Sequence, residues 1–191
     1  DQHLIDLSHN LLKIQQAFDY GDETILERHG KAGPGRLLVG QMQYKTVIVP
    51  AIKTLRKSTV KLLKDFAAAG GTIISTGTLP TMIDGEVNKE LESLNAKMIR
   101  ITNDEETLRK RLHDICPQDL QITSSDGNPS GSIWVHGRSV TNGQIYFLAN
   151  VNDEETIQTE IKIKGKGRLE LWNLENGKIE NIQQQRDGEF I

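Results

Sequence analysis

Cysteine is almost missing from this chain. Cys116 stands alone among 191 residues, so no internal disulfide can form, and a single thiol suits cytosol and periplasm equally. No apolar stretch approaches the roughly 20 residues that cross a bilayer, so no membrane span is expected. Charge of one sign is not in excess: the formal net charge is -3. A nucleic-acid partner normally needs a clustered basic surface. The one basic run, Lys162, Lys164, Lys166 and Arg168, alternates with Ile163, Gly165 and Gly167, as a strand with one solvated face does. Phosphate-cradling patterns are missing as well, since neither G-x-G-x-x-G nor G-x-x-x-x-G-K-[ST] occurs. What remains, with 36% hydrophobic and 26% charged residues, is an ordinary globular composition long enough for a real core.

The first two-thirds of the chain alternates helix and strand patterns. Leu4, Ile5, Leu7, Leu11, Leu12, Ile14 and Phe18 recur at three- and four-residue steps and predict an amphipathic helix. Asp22 is placed to cap a short helix over Glu23 to His29. Gly30 to Gly35 reads as a turn or loop, and Leu37-Leu38-Val39 as a short strand. Thr46 to Val49 is a β-branched run suited to a strand buried on both faces. A helix capped by Ser58 follows, with Val60, Leu62, Leu63, Phe66 and Ala67 inward and Gly70-Gly71 as its stop. Thr72 to Ser75 is the next strand, Glu86 to Leu94 a helix and Met98 to Ile101 a third strand. Asn103 or Asp104 caps a last helix that Pro117 ends. This alternation predicts an open, doubly wound, mostly parallel sheet over residues 1–118. From 119 to 191 the pattern becomes short strands, with hairpin signals at Asn142-Gly143 and Asn176-Gly177, and predicts a small antiparallel, sandwich-like β-domain.

In a doubly wound sheet, ligands bind beyond the carboxyl ends of the strands, here after Val49, Ser75 and Ile101. Ser75-Thr76-Gly77 is the nearest approach to a nucleophile elbow, but it lacks the preceding glycine. The five histidines, His3, His9, His29, His113 and His136, do not fall at a strand end of the α/β part. Cys116, at a helix end before Pro117, reads as an idle thiol. No His or Cys pair has zinc-ligand spacing, and Asp126-Gly127-Asn128 is too short for a calcium loop. Asp104-Glu105-Glu106 and Asp153-Glu154-Glu155 read as first-turn or loop charges rather than acid/base pairs. Catalytic residues, metals and cofactors are therefore not expected. Of the aromatics on strands, Trp172 and then Trp134 are the candidates for stacking against a sugar, with core packing as the alternative for both.

Two stretches carry a family resemblance. Phe18-Asp19-Tyr20, Tyr44 to Pro50 and Phe66 to Gly77 resemble the α/β domain that follows the catalytic barrel in large bacterial glycoside hydrolases. The α-L-rhamnosidases of glycoside hydrolase family 106 are the most similar. That domain is akin in fold to class I glutamine amidotransferases. His136-Gly137-Arg138, Gly143 to Asn150 and Leu171 to Ile179 resemble strands of the β-domain that comes next. The resemblance implies a parent that cleaves glycosidic bonds with paired carboxylates in a barrel preceding residue 1. The elbow cysteine of the amidotransferases is replaced here by Thr76-Gly77-Thr78.

The expectation is thus a non-catalytic structural or assembly module of a periplasmic or secreted glycoside hydrolase. Its partner would be the barrel of the same parent chain. Carbohydrate contact and homo-oligomer formation stay open, as do two alternatives: a carbohydrate-binding module, and a small amidotransferase-like hydrolase using Ser75, Thr76 or Cys116. The start at Asp1-Gln2-His3 and the stop at Ile191 inside a strand-like pattern read as the ends of an excised piece.

Overall fold

A computed structural model describes residues 2–128 and 130–191. The chain forms two units, Asp1–Leu11 with Phe18–Pro117, and Leu12–Ala17 with Gln118–Ile191. The second thus takes in a short segment from near the start of the chain. Among the described residues, no helix is long and apolar enough to cross a membrane.

In the first unit, helix α1 (Gln2–Lys13) buries Leu7, Ser8 and Leu11. It stops short of Phe18, where the periodicity would carry it, because Gln15 adopts a left-handed φ of 60°. Asp22 caps α2 (Glu23–His29), its carboxylate accepting from the amides of Thr24 and Ile25. The expected loop at Gly30–Gly35 is instead a hairpin: β1 (Gly30–Gly33) returns as β2 (Arg36–Val39), which pairs in turn with β3 (Met42–Tyr44). The turn needs Gly35 at φ 62°, which glycine adopts without strain. Leu37 to Val39 therefore sit in an antiparallel meander.

The rest of the unit runs β4 (Thr46–Val49), β5 (Thr54–Leu55), α3 (Lys57–Ala68), β6 (Thr72–Ser75), β7 (Met82–Ile83), β8 (Glu86–Val87), α4 (Glu90–Asn95), β9 (Ile99–Arg100) and α5 (Glu105–Ile115). Strands β4, β6 and β9 form a three-stranded parallel sheet with β6 in the middle, Val47 opposite Ile73 and Ile74 opposite Ile99. A separate small sheet joins β5 and β7 in parallel and β7 and β8 antiparallel.

Two helix starts differ from expectation. Ser58 lies inside α3, whose N-cap is Arg56. Carboxylates from elsewhere serve its first amides: Arg56 N donates to Glu23 Oε1 at 2.8 Å and Lys57 N to Asp84 Oδ1 at 3.3 Å. Helix α4 begins only at Glu90, because Glu86-Val87 is held in strand pairing and Asn88 N donates to Thr81 O.

One apolar cluster joins Val60, Leu63 and Phe66 of α3 to Ile73 of β6, Val49 of β4, and Leu91 and Leu94 of α4. Leu37, Leu55, Ile83 and Met98 belong to the same cluster, and Leu7, Leu11, Ile74, Leu108 and Leu112 are buried outside it. Ile73 and Ile74 point to opposite faces, so β6 is covered on both.

The second unit has β10 (Leu120–Ser124), β11 (Ile133–Val140), β12 (Gly143–Asn150), β13 (Thr159–Ile163), β14 (Glu170–Trp172) and β15 (Ile179–Asn181). They form three antiparallel ribbons, β10–β13, β11–β12 and β14–β15. Gln15 lies along β10: its amide nitrogen donates to Ile122 O at 3.0 Å and Ser130 O at 3.1 Å, and its amide oxygen accepts from Ile122 N at 3.0 Å. Among the described residues of this unit, the buried hydrophobics are only Ile14, Leu120, Ile122 and Ile191.

The tightest approach in the first core is at Gly71, where a Cβ would sit 2.0 Å from the ring of Phe66, itself fully buried. Gly71→Ala is expected to destabilise the protein by about 1–3 kcal/mol, read by urea unfolding. An unchanged midpoint would show that the Phe66 ring can move aside freely.

Candidate functional site

In a doubly wound sheet the carboxyl ends of the parallel strands form the edge where a ligand would bind. The loops after β4 and β6 do not hang free there. Thr81 N and Met82 N both donate to Lys53 O at 3.0 Å, and Asp84 N donates to Leu55 O, so the β5–β7 pairing fastens one loop to the other.

Helix α1 brings a histidine to this edge. His3 Nε2 lies 3.4 Å from Thr76 Oγ1, a pairing that linear spacing concealed across 73 residues. Gly77 is part of the same contact, for a Cβ there would lie 2.6 Å from Ala51 Cβ and 3.1 Å from His3 Cε1. Further along α1, Asn10 Nδ2 donates to Asn103 O at 3.0 Å, just past β9. A nucleophile and its base need a contact of about 2.6–3.2 Å and room for a substrate. The 3.4 Å spacing is longer, and Thr76 is only 3% exposed. Ser75 is fully buried and donates to Gly77 O. Cys116 Sγ faces Thr46 Oγ1 at 3.2 Å, at the starting end of β4 and so at the opposite end of the strands from Thr76. The arrangement packs α1 across the sheet edge, with His3 against Thr76 and Asn10 against Asn103.

The first acidic triplet, Asp104-Glu105-Glu106, behaves as local structure. Asp104 caps α5 through Thr107 N at 2.8 Å. The Thr102 hydroxyl, ahead of the Thr107 amide, holds the Asp104 carboxyl below its ordinary value. Glu105 and Glu106 fill the first turn of α5. Among the described residues, no group of three or more His, Cys, Asp or Glu side chains is placed to hold a metal ion. The basic run near β13 is largely matched by acids: Lys162 lies 2.9 Å from Asp187, Lys164 3.0 Å from Glu189 and Arg168 3.1 Å from Glu170.

The two tryptophans are on different ribbons. Trp134, on β11 opposite Ala149, is half-buried with its indole nitrogen shut from solvent. Trp172, on β14, is 57% exposed, and its indole N–H donates to Glu170 Oε2 at 3.2 Å.

Phe18-Asp19-Tyr20 turns out to be a clamp. Phe18 and Tyr20 meet edge to face with centroids 5.4 Å apart, and Tyr20 Oη donates to Ser8 Oγ at 3.0 Å. Tyr44 Oη donates to Asp19 Oδ2 at 2.7 Å, joining two of the stretches that carried the resemblance. Burial, and then the Asp19 carboxylate, push the Tyr44 phenol from 10.0 up to about 12. The neutral phenol is therefore favoured in the folded state. Its contribution to stability is complete below pH 10.0 and is lost as the pH rises towards about 12. Alkaline unfolding should show this loss in that window, and Tyr44→Phe should remove it. Ultraviolet titration that finds every tyrosine ionising at its ordinary pH would refute the clamp.

No curated protein and no solved structure matches the chain. Residues 3–186, spanning both units, match the Glyco_hydro_106 family, described as alpha-L-rhamnosidase. The chain belongs to glycoside hydrolase family 106.

Proposed function

We propose that this chain is a non-catalytic packing module of an α-L-rhamnosidase, borne beside a barrel that carries the reactive carboxylates. Such a barrel would belong to the same longer chain, exported to the periplasm or cell exterior as polysaccharide-degrading enzymes are. On this reading the α/β unit is a reduced doubly wound, amidotransferase-like layer whose ligand edge α1 has closed. The three ribbons are parts of a sandwich-like β-layer.

The observation that carries the proposal is the unsatisfied apolar surface of the second unit. Val140, Ile145 and Phe147 are about half exposed along the β11–β12 ribbon, the last at 51%. The register and strand alternation put them on one face, with Trp134, His136 and Arg138. A two-stranded ribbon is marginal by itself and needs such a face covered. A barrel flank in the same protein supplies that cover without the entropy cost of association between separate chains.

The test is to produce the parent enzyme with and without this region, and with Ile145→Ser and Phe147→Ser together. Loss of the region should lower the thermal midpoint and rhamnosidase activity. The double variant should weaken docking while leaving the α/β unit folded by circular dichroism. Unchanged stability and activity on deletion would reject the proposal. Amide or ester turnover by the chain alone, abolished by Thr76→Val and by His3→Ala, would replace it with the hydrolase reading.

A further inference from the structure

One exposed aromatic in the second unit is held in a defined pose by ionised groups. Glu170 uses both carboxylate oxygens: Oε2 accepts from the Trp172 indole at 3.2 Å and Oε1 from Arg168 Nη2 at 3.1 Å. Glu170 and Trp172 are two residues apart on β14 and so share a face. Across the hairpin, Ile179 stands opposite Trp172 and Asn181 opposite Glu170. The face presents a flat ring beside an aliphatic side chain, bordered by a carboxylate, a guanidinium and a carboxamide. The cross-strand pair with Ile179 helps hold the hairpin. More than half of the Trp172 surface, 57%, nevertheless stays in solvent.

We propose that this face is a glycan-binding site that takes a neutral 6-deoxyhexose residue such as an α-L-rhamnoside. A pyranose ring has a face of C–H bonds that suits an aromatic plane, and a girdle of hydroxyls that both donate and accept. Trp172 supplies the plane. Glu170 can accept and Arg168 can donate at the rim, and a guanidinium fork spans adjacent oxygens. The two charges cancel as a pair, so the rim does not select an anionic or a cationic ligand. A 6-deoxy sugar carries a methyl where other hexoses carry a hydroxymethyl, and Ile179 offers that methyl an apolar neighbour. The inference rests on the family membership and on β14–β15, not on the packing role of β11–β12, so either can fail without the other.

The experiment is isothermal calorimetry on the 191-residue chain with a rhamnose-containing oligosaccharide, and with a glucose-based oligosaccharide of equal length as comparison. Saturable binding that favours the rhamnosyl ligand is the expected result. Trp172→Ala should weaken it about tenfold or more. Trp172→Phe, which keeps an aromatic partner for Ile179, should retain most of it. Glu170→Gln should reduce it, and Ile145→Ser with Phe147→Ser should leave it unchanged. Heats that never saturate across both ligands would overturn the proposal. So would binding that survives Trp172→Ala, or that disappears only when β11–β12 is altered.

Discussion

A four-residue strand, Thr72–Ser75, has to be hidden on both faces at once. Ile73 and Ile74 point to opposite sides and both are almost wholly buried, as is Ser75. Such a strand cannot alternate polar with apolar residues, and helices must cover each side of it. Its approach is equally confined, since Gly70 takes φ 89° and Gly71 lies against the Phe66 ring. Helix α3 can then reverse into β6 within a few residues and lay Val60, Leu63 and Phe66 over the sheet. The positions of Thr76, Gly77 and the loop fastened by β5–β7 all follow from where this strand ends.

What was readable in the sequence is what short-range physics decides. Runs of β-branched residues marked β4 and β6, and Asp22 and Asp104 announced helix starts because a side-chain oxygen can reach amides two or three residues on. The antiparallel ribbons after residue 119 showed in their turn residues and short strands. The reading failed where partners were remote. Arg56 and Lys57 are served by Glu23 and Asp84, so no local cap marks the start of α3. The β1–β2 hairpin hid in a glycine-rich stretch that looks like a loop until it is paired. The contact of His3 with Thr76 joins positions 73 residues apart and has no periodic signature. At the candidate sites, the exposure of Trp172 could be guessed from its place beside a turn, whereas its tie to Glu170 depends on which side chains share a strand face.

The two units hide apolar surface very differently. The first encloses a contiguous core, whereas the second encloses a few side chains around Gln15 and β10 and leaves Val140, Ile145, Phe147, Leu171 and Ile179 in water.

Gln15 has one more consequence. By offering a donor and an acceptor at the spacing of a peptide unit, its side chain occupies both backbone groups of Ile122. A two-stranded ribbon otherwise leaves such groups as a template on which a foreign chain can add itself. At this point the margin of β10 is taken by Gln15 together with Ser130, whose amide also donates to Ile122 O at 3.0 Å. With its peptide groups met in this way, Ile122 offers no free donor or acceptor to an added strand.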